Sequence, residues 1–515
     1  MNRRKVFQYI GLAICMLPFS GCTAETVTMG SEKSKTRPNI VFILADDMGY
    51  GDPGCYNPES KIPTPNMDRM ASEGIRFTDT HSPSSVCTPT RYGILTGRYA
   101  WRTELKRGVL WSWDRPLIEK DRLTVADMLK QQGYSTACIG KWHLGWDWPT
   151  TDGSQINDQL KIGQYNVKVR SAFAQKVDFT QPLKGGPVEH GFDYYFGDDV
   201  PNFPPYCFIE NDRVVKMPTE SKPSTMFGAP GPMRPGWKLG DVMPTLTEKA
   251  TEYIRNHTLR SPDKPFFLYF SLTAPHTPIV PTAEFTGKSQ AGRYGDYVYQ
   301  VDWTIGKVLE ALKKQGLEDN TLVIVTSDNG SPARDGTNDS GQVGSVKKFG
   351  HNPSGKLRGR KTDAWEGGHR VPFIARWPGH IKPTSLSHET VCLADFMSTI
   401  ASVVNVQLPD TAAEDSYNIL PALKGQKYPR PIREATVHHS ISGLFCIRKG
   451  KWKYIDGVGS GGSSGKGDGL PGQLYDMDID LAESNNLYES PDHQSIIQEL
   501  KALLEQYKTQ THSHP

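Results

Sequence analysis

From Pro38 onward, short runs of apolar residues alternate with segments of helical periodicity. This alternation is typical of α/β proteins, in which helices separate buried parallel strands. The runs that predict strands next to chemically interesting residues are 39–44, 134–139, 266–272 and 322–326. All except 134–139 are apolar on both faces, as expected for strands covered by helices on either side. The pattern therefore predicts an α/β domain built on a buried sheet.

Each of the four runs is followed at once by polar residues. The clusters are Asp46-Asp47, Lys141 with His143, His276, and Asp328-Asn329. Because ligands of open parallel sheets bind beyond the carboxyl ends of the strands, we expect the four clusters to meet in one crevice. Carboxylate and amide oxygens suit a hard cation, whereas lysine and imidazole suit an anion. The sequence thus predicts a combined metal and anion site.

Helical periodicity covers residues 67–73, 124–132 and 298–315, and the first and third of these end at Gly74 and Gly316. The composition changes at 408–425, which contains Pro and Asp and reads as a link. A smaller unit follows, with strand-like runs at 445–448 and 452–455, a Gly/Ser-rich loop at 457–472 that composition predicts to be flexible, and a C-terminal helix. We therefore predict domains at 38–425 and 426–515.

The N-terminal segment 1–21 has the features of an export signal. Three basic residues precede a largely apolar run that is too short to span a bilayer as a mature helix. Cys22 follows two small residues, as in a bacterial lipobox, so acylation of Cys22 is expected; a plain cleaved signal peptide is the alternative. Residues 22–37 are polar and read as a tether. The protein is predicted to be exported, as a periplasmic or membrane-anchored lipoprotein of a Gram-negative-type bacterium.

Charge and cysteine content narrow the classes of function. Removal of residues 1–21 deletes three cations and no anions, so 59 Lys+Arg fall to 56 against 56 Asp+Glu. A formally neutral mature chain argues against a nucleic-acid partner. When the signal, Cys22 and Cys87 are set aside, the remaining cysteines are odd in number and scattered along the chain. They do not form a disulfide framework, although one bridge stays possible. No CxxC or HExxH spacing indicates a zinc site.

The most specific segment is 85–98, Ser-Val-Cys-Thr-Pro-Thr-Arg-Tyr-Gly-Ile-Leu-Thr-Gly-Arg. It resembles the signature of type I sulfatases, in which Cys-x-Pro-x-Arg followed by Leu-Thr-Gly directs oxidation of the cysteine to formylglycine by a maturase. Pro89 is placed to open a helix, which would put Cys87 at a helix N-terminus that favours an anion. The alternative is that Cys87 is a buried thiol and Arg91 a solvated side chain.

The resemblance implies a metal site and a nucleophile. Asp46, Asp47, Asp328 and Asn329 match the family's side-chain ligands, and an oxygen of hydrated formylglycine at Cys87 would complete the shell. Such hard oxygen ligands select Ca²⁺ or Mg²⁺, and we expect one Ca²⁺ per subunit. In isolation, Asp-Asp or Asp-Asn-Gly is more often a helix cap or a turn.

The resemblance also assigns the catalytic side chains. Arg91 would orient formylglycine, and Lys141 and Lys361 would neutralise sulfate oxygens. His143 would take the proton of the second hydroxyl, and His276 would assist the departing alcohol. The segment 357–372 is similar to the family's LRGGK…EGG-R-P stretch, but Arg360 replaces a glycine there, and whether Arg360 shares the site is open.

The similarity runs nearly end to end and implies an alkaline-phosphatase-like α/β fold, a large mixed sheet sandwiched by helices, with a smaller C-terminal α+β domain. The stretch 201–206 looks like bacterial carbohydrate sulfatases, including those acting on 6-sulfated galactose or N-acetylgalactosamine. The expected substrate is therefore a sulfated glycan. Residues that could form a sugar-binding rim, or could instead be packing residues, are His369, Tyr206, Trp146 and Trp148.

Two other functions compete with a sulfatase. A phosphomonoester or phosphonate hydrolase would share the metal site, although these motifs account for only one metal and two-metal phosphatases need further ligands. A carbohydrate-binding protein with an unmodified Cys87 is the second alternative. Such a binding protein would have no need of both His143 and His276.

Overall fold

The computed structural model describes residues 37–337, 344–428 and 430–514. The predicted signal 1–21, Cys22 and nearly all of the tether lie outside these ranges, so their assignment stays a prediction. In the described ranges, no helix has both the length and the apolar character needed to cross a membrane.

A large mixed sheet occupies the centre of the fold. The strands before the C-terminal unit are β1 Asn39–Asp46, β2 Ile75–Phe77, β3 Thr80–His81, β4 Ser135–Gly140, β5 Tyr194–Gly197, β6 Ile209–Glu210, β7 Arg213–Val214, β8 Glu220–Ser221, β9 Pro232–Met233, β10 Phe266–Pro275, β11 Thr321–Ser327, β12 Arg334–Asp335, β13 Gly344–Ser345, β14 Phe373–Arg376, β15 Ser385–Ser387 and β16 Val391–Cys392. Among the described residues, the ten strands of the large sheet follow the order β15-β2-β14-β11-β1-β10-β4-β5-β6-β7.

The four strands predicted from the sequence are neighbours in this sheet. The order β11-β1-β10-β4 is parallel throughout, whereas β14 and β6 add antiparallel pairs on either side. The register aligns Ala45 with Ser327, Asp46 with Pro275, and Ser271 with Gly140. The carboxyl ends of all four strands therefore lie at one edge, and the predicted convergence of their polar clusters is confirmed.

Helices cover both faces of the sheet. They are α1 Pro65–Glu73, α2 Cys87–Thr96, α3 Val125–Gln131, α4 Val167–Phe173, α5 Val242–Arg260, α6 Gly292–Lys314, α7 Glu366–His369, α8 Phe396–Val403, α9 Leu420–Leu423 and α10 Gln494–Thr509. Along β1, Phe42 packs in the cluster that includes α2, α3 and α8, whereas Val41 and Ile43 pack with α1, α5 and α6. Burial of each such side chain stabilises the fold by about 1.5–3 kcal/mol, so the sheet is held from both sides.

The C-terminal unit is a four-stranded antiparallel sheet with one long helix. Its strands are β17 Thr436–His439, β18 Phe445–Lys449, β19 Trp452–Ile455 and β20 Gln473–Asp476, and α10 packs on them. This α+β arrangement agrees with the prediction, while the boundary at 425/426 stays a prediction. The Gly/Ser-rich loop expected to be flexible is instead packed, since Ser460 accepts a backbone hydrogen bond from Ala364 and Ser464 bonds to Asp363.

Candidate active site

Cys87 is the first residue of α2 and is almost completely buried. Val86 before it is extended, so the chain enters the helix at the cysteine. The approach is fixed by backbone hydrogen bonds: the Ser85 N–H donates to the His439 carbonyl oxygen (3.0 Å), and the Ser85 carbonyl accepts from the Thr362 N–H (2.9 Å). Cys87 therefore lies at a helix N-terminus, where unpaired N–H groups favour negative charge.

Oxygen donors from β1 and β11 converge close to this helix. Asn329 donates its Nδ2 to Asp47 Oδ1 (2.7 Å), and the Asp47 N–H donates to Asp328 Oδ1 (3.2 Å). Asp46 Oδ1 and Asn329 Oδ1 are buried and accept no hydrogen bond from any described residue. Buried oxygens without donors are costly unless a cation satisfies them. The donor set is that of a hard divalent cation, so these four residues fit a metal site.

The surroundings of this cluster shift the pKa values of Asp46 and Asp328 in opposite directions. Burial and the neighbouring Asp46 raise the pKa of Asp328 well above its ordinary value. Burial would also raise the pKa of Asp46, but Lys141, His276 and Arg91 together hold that pKa below its ordinary value. Crowded buried carboxylates of this kind are stabilised when a cation is bound between them.

Three cations surround the carboxylates. Arg91 donates to Asp328 Oδ2 (2.7 Å), to the Lys141 carbonyl (3.2 Å) and to the Ser271 hydroxyl. Lys141 Nζ lies 2.7 Å from Asp46 Oδ2, and Lys361 Nζ lies 2.5 Å from Asp47 Oδ1. Burial alone would lower the pKa of Arg91 and of Lys361. The neighbouring carboxylates instead raise both pKa values above the ordinary ones, so both cations stay charged.

Lys141 reaches the site because β4 ends in a glycine. A Cβ at Gly140 would lie 1.7 Å from the Ser271 carbonyl oxygen of the neighbouring strand, and the backbone there has a φ of +108°. Only glycine combines this close approach with this conformation. The backbone of Lys141 then donates to the same carbonyl (2.8 Å), which fixes its direction.

His143 and His276 are both neutral at neutral pH. Burial, helped by Lys141, lowers the pKa of His143 to about 3. Its Nε2 faces the Leu110 carbonyl oxygen at 2.9 Å, while Nδ1 is buried with no described partner. Burial lowers the pKa of His276 to about 4, and its Nδ1 faces the Thr277 carbonyl at 2.5 Å while Nε2 points towards Asp47 Oδ2 at 3.8 Å.

A cavity of about 520 Å³ opens onto these groups. Asp47, His276 and Lys361 form part of its wall. The other lining residues are Thr277, Pro332, Ala333, Arg334, Gly344, Ser345, Arg360, Thr362 and Ser463. Sequence reasoning left the role of Arg360 open, and the structure places Arg360 in this wall. Arg334 and Ser463 carried no local motif that could have singled them out.

The structure corrects the prediction of a sugar-binding rim. Trp146, Trp148, Tyr206 and His369 are each at most 1% exposed. Trp146 packs on Tyr195 with ring centroids 5.6 Å apart, and the Tyr206 hydroxyl donates to the Ala229 carbonyl (2.6 Å). Side chains that present no surface have packing roles in this structure, so they do not form the predicted rim.

His369 belongs instead to a buried polar chain. His81 Nε2 lies 3.0 Å from Asp79, its Nδ1 lies 3.0 Å from His369 Nδ1, and His369 Nε2 lies 3.1 Å from Lys453 Nζ. Lys453 also pairs with Glu366 (2.9 Å) on α7. This series of polar side chains connects β19 of the C-terminal unit to the catalytic part. The His369 carbonyl oxygen also accepts a hydrogen bond from the N–H of Ser82, which lies five residues before Cys87.

Sequence reasoning missed Asp198 and Asp199, which follow β5. Both are buried, both Asp198 oxygens lack a described hydrogen-bond partner, and burial raises the pKa of Asp198 to about 7. Burial also raises the pKa of Asp199, and the neighbouring His143 offsets part of that rise. The rule that polar residues after parallel strands form the site would have found them, because β5 is parallel to β4.

Comparison with known proteins agrees with this geometry. The sulfatase family profile matches residues 38–406. The chain belongs to the sulfatase family. The C-terminal profile of N-sulphoglucosamine sulphohydrolase matches residues 361–510. Members of the family generally use formylglycine and a divalent metal, and this sulfatase is a sulfuric ester hydrolase.

Individual relatives cover nearly the whole sulfatase. It is 34% identical to an N-acetylgalactosamine-6-O-sulfatase of Bacteroides thetaiotaomicron over 95% of this chain and 96% of the relative. It is 32% identical to the N-acetylgalactosamine-6-sulfatase of Mus musculus over 81% of this chain and 71% of the relative. A solved Bacteroides thetaiotaomicron sulfatase structure, from work on the metabolism of multiple glycosaminoglycans, has a TM-score of 0.77 at 32% identity and covers 92% of this chain and 100% of that one.

Proposed function

We propose that this sulfatase removes the 6-O-sulfate from N-acetylgalactosamine or galactose residues of a sulfated glycan, using formylglycine made from Cys87. The observation that carries the proposal is the position of Cys87 at the N-terminus of α2 beside buried, unsatisfied oxygen donors. The sugar is proposed because two relatives that match most of the chain are N-acetylgalactosamine-6-sulfatases. Phosphate ester or phosphonate hydrolysis and glycan binding without turnover are the alternatives.

Asp46, Asp47, Asp328 and Asn329 would hold the metal, which we propose to be Ca²⁺. Three carboxylates and one carboxamide offer hard oxygen ligands, which favour Ca²⁺ over softer metals. When bound, the ion would neutralise negative charge on the nucleophile and on the sulfate. Arg91 would orient the formylglycine, and Lys141 and Lys361 would bind sulfate oxygens.

The imidazoles fit two different proton roles. His143 faces a carbonyl oxygen through Nε2, so Nε2 carries the proton of the neutral ring and Nδ1 can accept one. His276 faces a carbonyl through Nδ1, so Nε2 can donate only from the doubly protonated ring. Binding of an anionic sulfate would favour that form. His143 is therefore proposed as the base and His276 as the group that protonates the leaving alcohol.

In the proposed cycle, sulfate leaves the enzyme without attack of water on the sulfated intermediate. One hydroxyl of the formylglycine hydrate loses its proton to solvent and attacks sulfur. The bond from sulfur to the sugar oxygen breaks as protonated His276 supplies a proton to that oxygen. His143 then accepts the proton of the second hydroxyl while the bond between carbon and the sulfate oxygen breaks. The aldehyde and free sulfate result, and water rehydrates the aldehyde.

The decisive experiment is mass spectrometry of the peptide that contains Cys87, combined with assays on purified protein. We expect a mass about 18 Da below that of cysteine, the thiol-to-aldehyde difference, and turnover of 6-sulfated N-acetylgalactosamine or galactose well above that of an aryl phosphate or phosphonate. Unmodified Cys87 after expression with a competent maturase would refute the mechanism. Modified protein that prefers phosphate esters would favour the hydrolase alternative, and glycan binding without turnover would favour the binding protein.

We also propose that the sulfatase is exported and anchored through an acylated Cys22. The support is the N-terminal sequence alone. Metabolic labelling with a fatty acid should mark the wild-type chain and not Cys22→Ala, and export of both forms without labelling of either would indicate a plain cleaved signal.

A further inference from the structure

Two arginines lie in the wall of the catalytic cavity beyond the sulfate-binding cations. Arg334 is on β12 and is exposed, and Arg360 lies one residue before Lys361 and is half-buried. Both line the same cavity of about 520 Å³ as His276, the residue proposed to protonate the leaving alcohol. A cavity of this size is in the range of small-molecule sites.

Among the described residues, no carboxylate forms an ion pair with Arg334 or Arg360, so none of them neutralises these two charges. Arg360 donates Nη2 to the Ser463 carbonyl (3.1 Å), whereas its Nε is buried without a described acceptor. Arg358, two residues earlier, is different: it stacks on Trp365 at 3.6 Å and donates to the Glu483 carbonyl.

The position of Arg360 is fixed by the loop that packs beside it. The Arg360 N–H donates to Asp363 Oδ2 (2.9 Å), and the same carboxylate accepts from the Ser464 hydroxyl (2.5 Å). Ser463, whose carbonyl oxygen accepts from the Arg360 guanidinium, directly precedes Ser464 in the same Gly/Ser-rich loop. A guanidinium held in place in a cavity wall is preorganised for an anion, because its fork matches carboxylate and sulfate geometry.

We propose that Arg334 and Arg360 form a second anion subsite that binds an acidic group on the sugar next to the one being desulfated. The shared chemistry is a planar or tetrahedral oxyanion, either a uronate carboxylate or a second sulfate ester. The subsite makes polyanionic glycans the preferred substrates. This inference rests on the proposed function, since it specifies the substrate class of the same cavity.

Binding rather than turnover tests the subsite. In a Cys87→Ala background loaded with Ca²⁺, calorimetry at low ionic strength would measure the dissociation constants of three ligands. The first is N-acetylgalactosamine 6-sulfate, and the second is the same sugar joined to a uronate. The third is the same sugar joined to a neutral hexose that carries a sulfate. We expect at least one disaccharide to bind more tightly than the monosaccharide.

Arg334→Gln and Arg360→Gln should each reduce that preference about tenfold, equivalent to ~1.4 kcal/mol. Arg255→Gln, which changes an exposed arginine of α5 outside the cavity, is the matched control and should leave the preference intact. The disaccharide that loses its advantage identifies the carboxylate or the sulfate as the ligand. A preference that survives both variants, or is absent from the parent protein, would overturn the subsite. Failure of the proposed function would show separately, as formylglycine-bearing protein that hydrolyses no sulfated sugar.

Discussion

At the residue scale, the second hydroxyl of the proposed formylglycine nucleophile separates its chemistry from that of an ordinary hydroxyl nucleophile. A serine side chain has one hydroxyl, so it can attack sulfur and expel the alcohol but cannot collapse to an aldehyde. Cys87→Ser should therefore become sulfated once and stop, with steady-state turnover lost by several orders of magnitude.

Peptide mass spectrometry after incubation with substrate would check this by detecting one added SO₃ group on residue 87. Cys87→Ala is the matched control, since it offers no oxygen and should acquire no added mass. Repeated turnover by the serine variant would contradict the proposed cycle.

His439 gives a pH prediction at a single residue. Burial lowers its pKa to about 4, against 6.5 for the unfolded chain. Between pH 6.5 and 4 the unfolded state binds a proton that the folded state excludes, so His439 lowers the free energy of unfolding by ~1.4 kcal/mol per pH unit as the pH falls, and by nothing further below about 4. This loss should be missing from His439→Gln.

The measurement is the free energy of unfolding of wild type and His439→Gln in urea at several pH values. The gap in stability between the two proteins should narrow as the pH falls from 6.5 to 4. His388→Gln changes an exposed histidine and should show no such narrowing. A gap that is constant with pH would mean that His439 is protonated in the folded state.

At the element scale, the metal would connect two strands. Asp46 and Asp47 come from the end of β1, and Asp328 and Asn329 follow β11. Because a ligand that binds only the folded state stabilises it, Ca²⁺ at one hundred times its dissociation constant should add about 2.7 kcal/mol. Chelation should lower the melting temperature and abolish activity, and Ca²⁺ should restore both.

Asn329→Ala should reduce the Ca²⁺-dependent shift in melting temperature, whereas Asn418→Ala, at an exposed position, should keep it. The shift can be followed by scanning fluorimetry with EGTA, Mg²⁺ and Ca²⁺. An unchanged shift in Asn329→Ala would place the ion elsewhere, and a larger shift with Mg²⁺ would identify a different metal.

The elements also show what the sequence could predict. The strands leading to Asp46, His276 and Asp328 are apolar on both faces, and a parallel sheet has one carboxyl edge, so the site followed from strand pattern and topology. The rim prediction failed because local sequence does not decide which way a loop side chain turns. Trp146 lies three residues after His143, yet its ring packs into the core.

At the scale of the whole molecule, Lys453 joins the C-terminal unit to the catalytic part. It is fully buried between Glu366 (2.9 Å) and Glu483 (2.8 Å). Lys453→Met leaves the buried Glu483 carboxylate without a cation, whereas Glu366 keeps Arg370 at 3.1 Å. The loss should cost about 3–5 kcal/mol. Lys451→Met removes a lysine of the same hairpin that is 45% exposed, and should have little effect.

Chemical denaturation would measure both variants. Addition of Glu483→Leu to Lys453→Met should recover part of the loss, because the unpaired carboxylate is then removed. If Lys453→Met were as stable as wild type, the connection between the two parts would not depend on this ion pair.

The hydrogen bond between Ser85 and His439 has a consequence for the order of events in biosynthesis. It joins residues 354 positions apart, and it helps bury Cys87 to 3% exposure. At ~5–20 residues per second, the ribosome needs roughly 20 to 70 s to make the intervening chain. Until β17 exists, the peptide around Cys87 cannot be sealed. Under the proposed function, the enzyme that oxidises Cys87 would have to bind this peptide before the C-terminal unit docks. Slowing the synthesis or docking of that unit should then raise the fraction of chains that are converted.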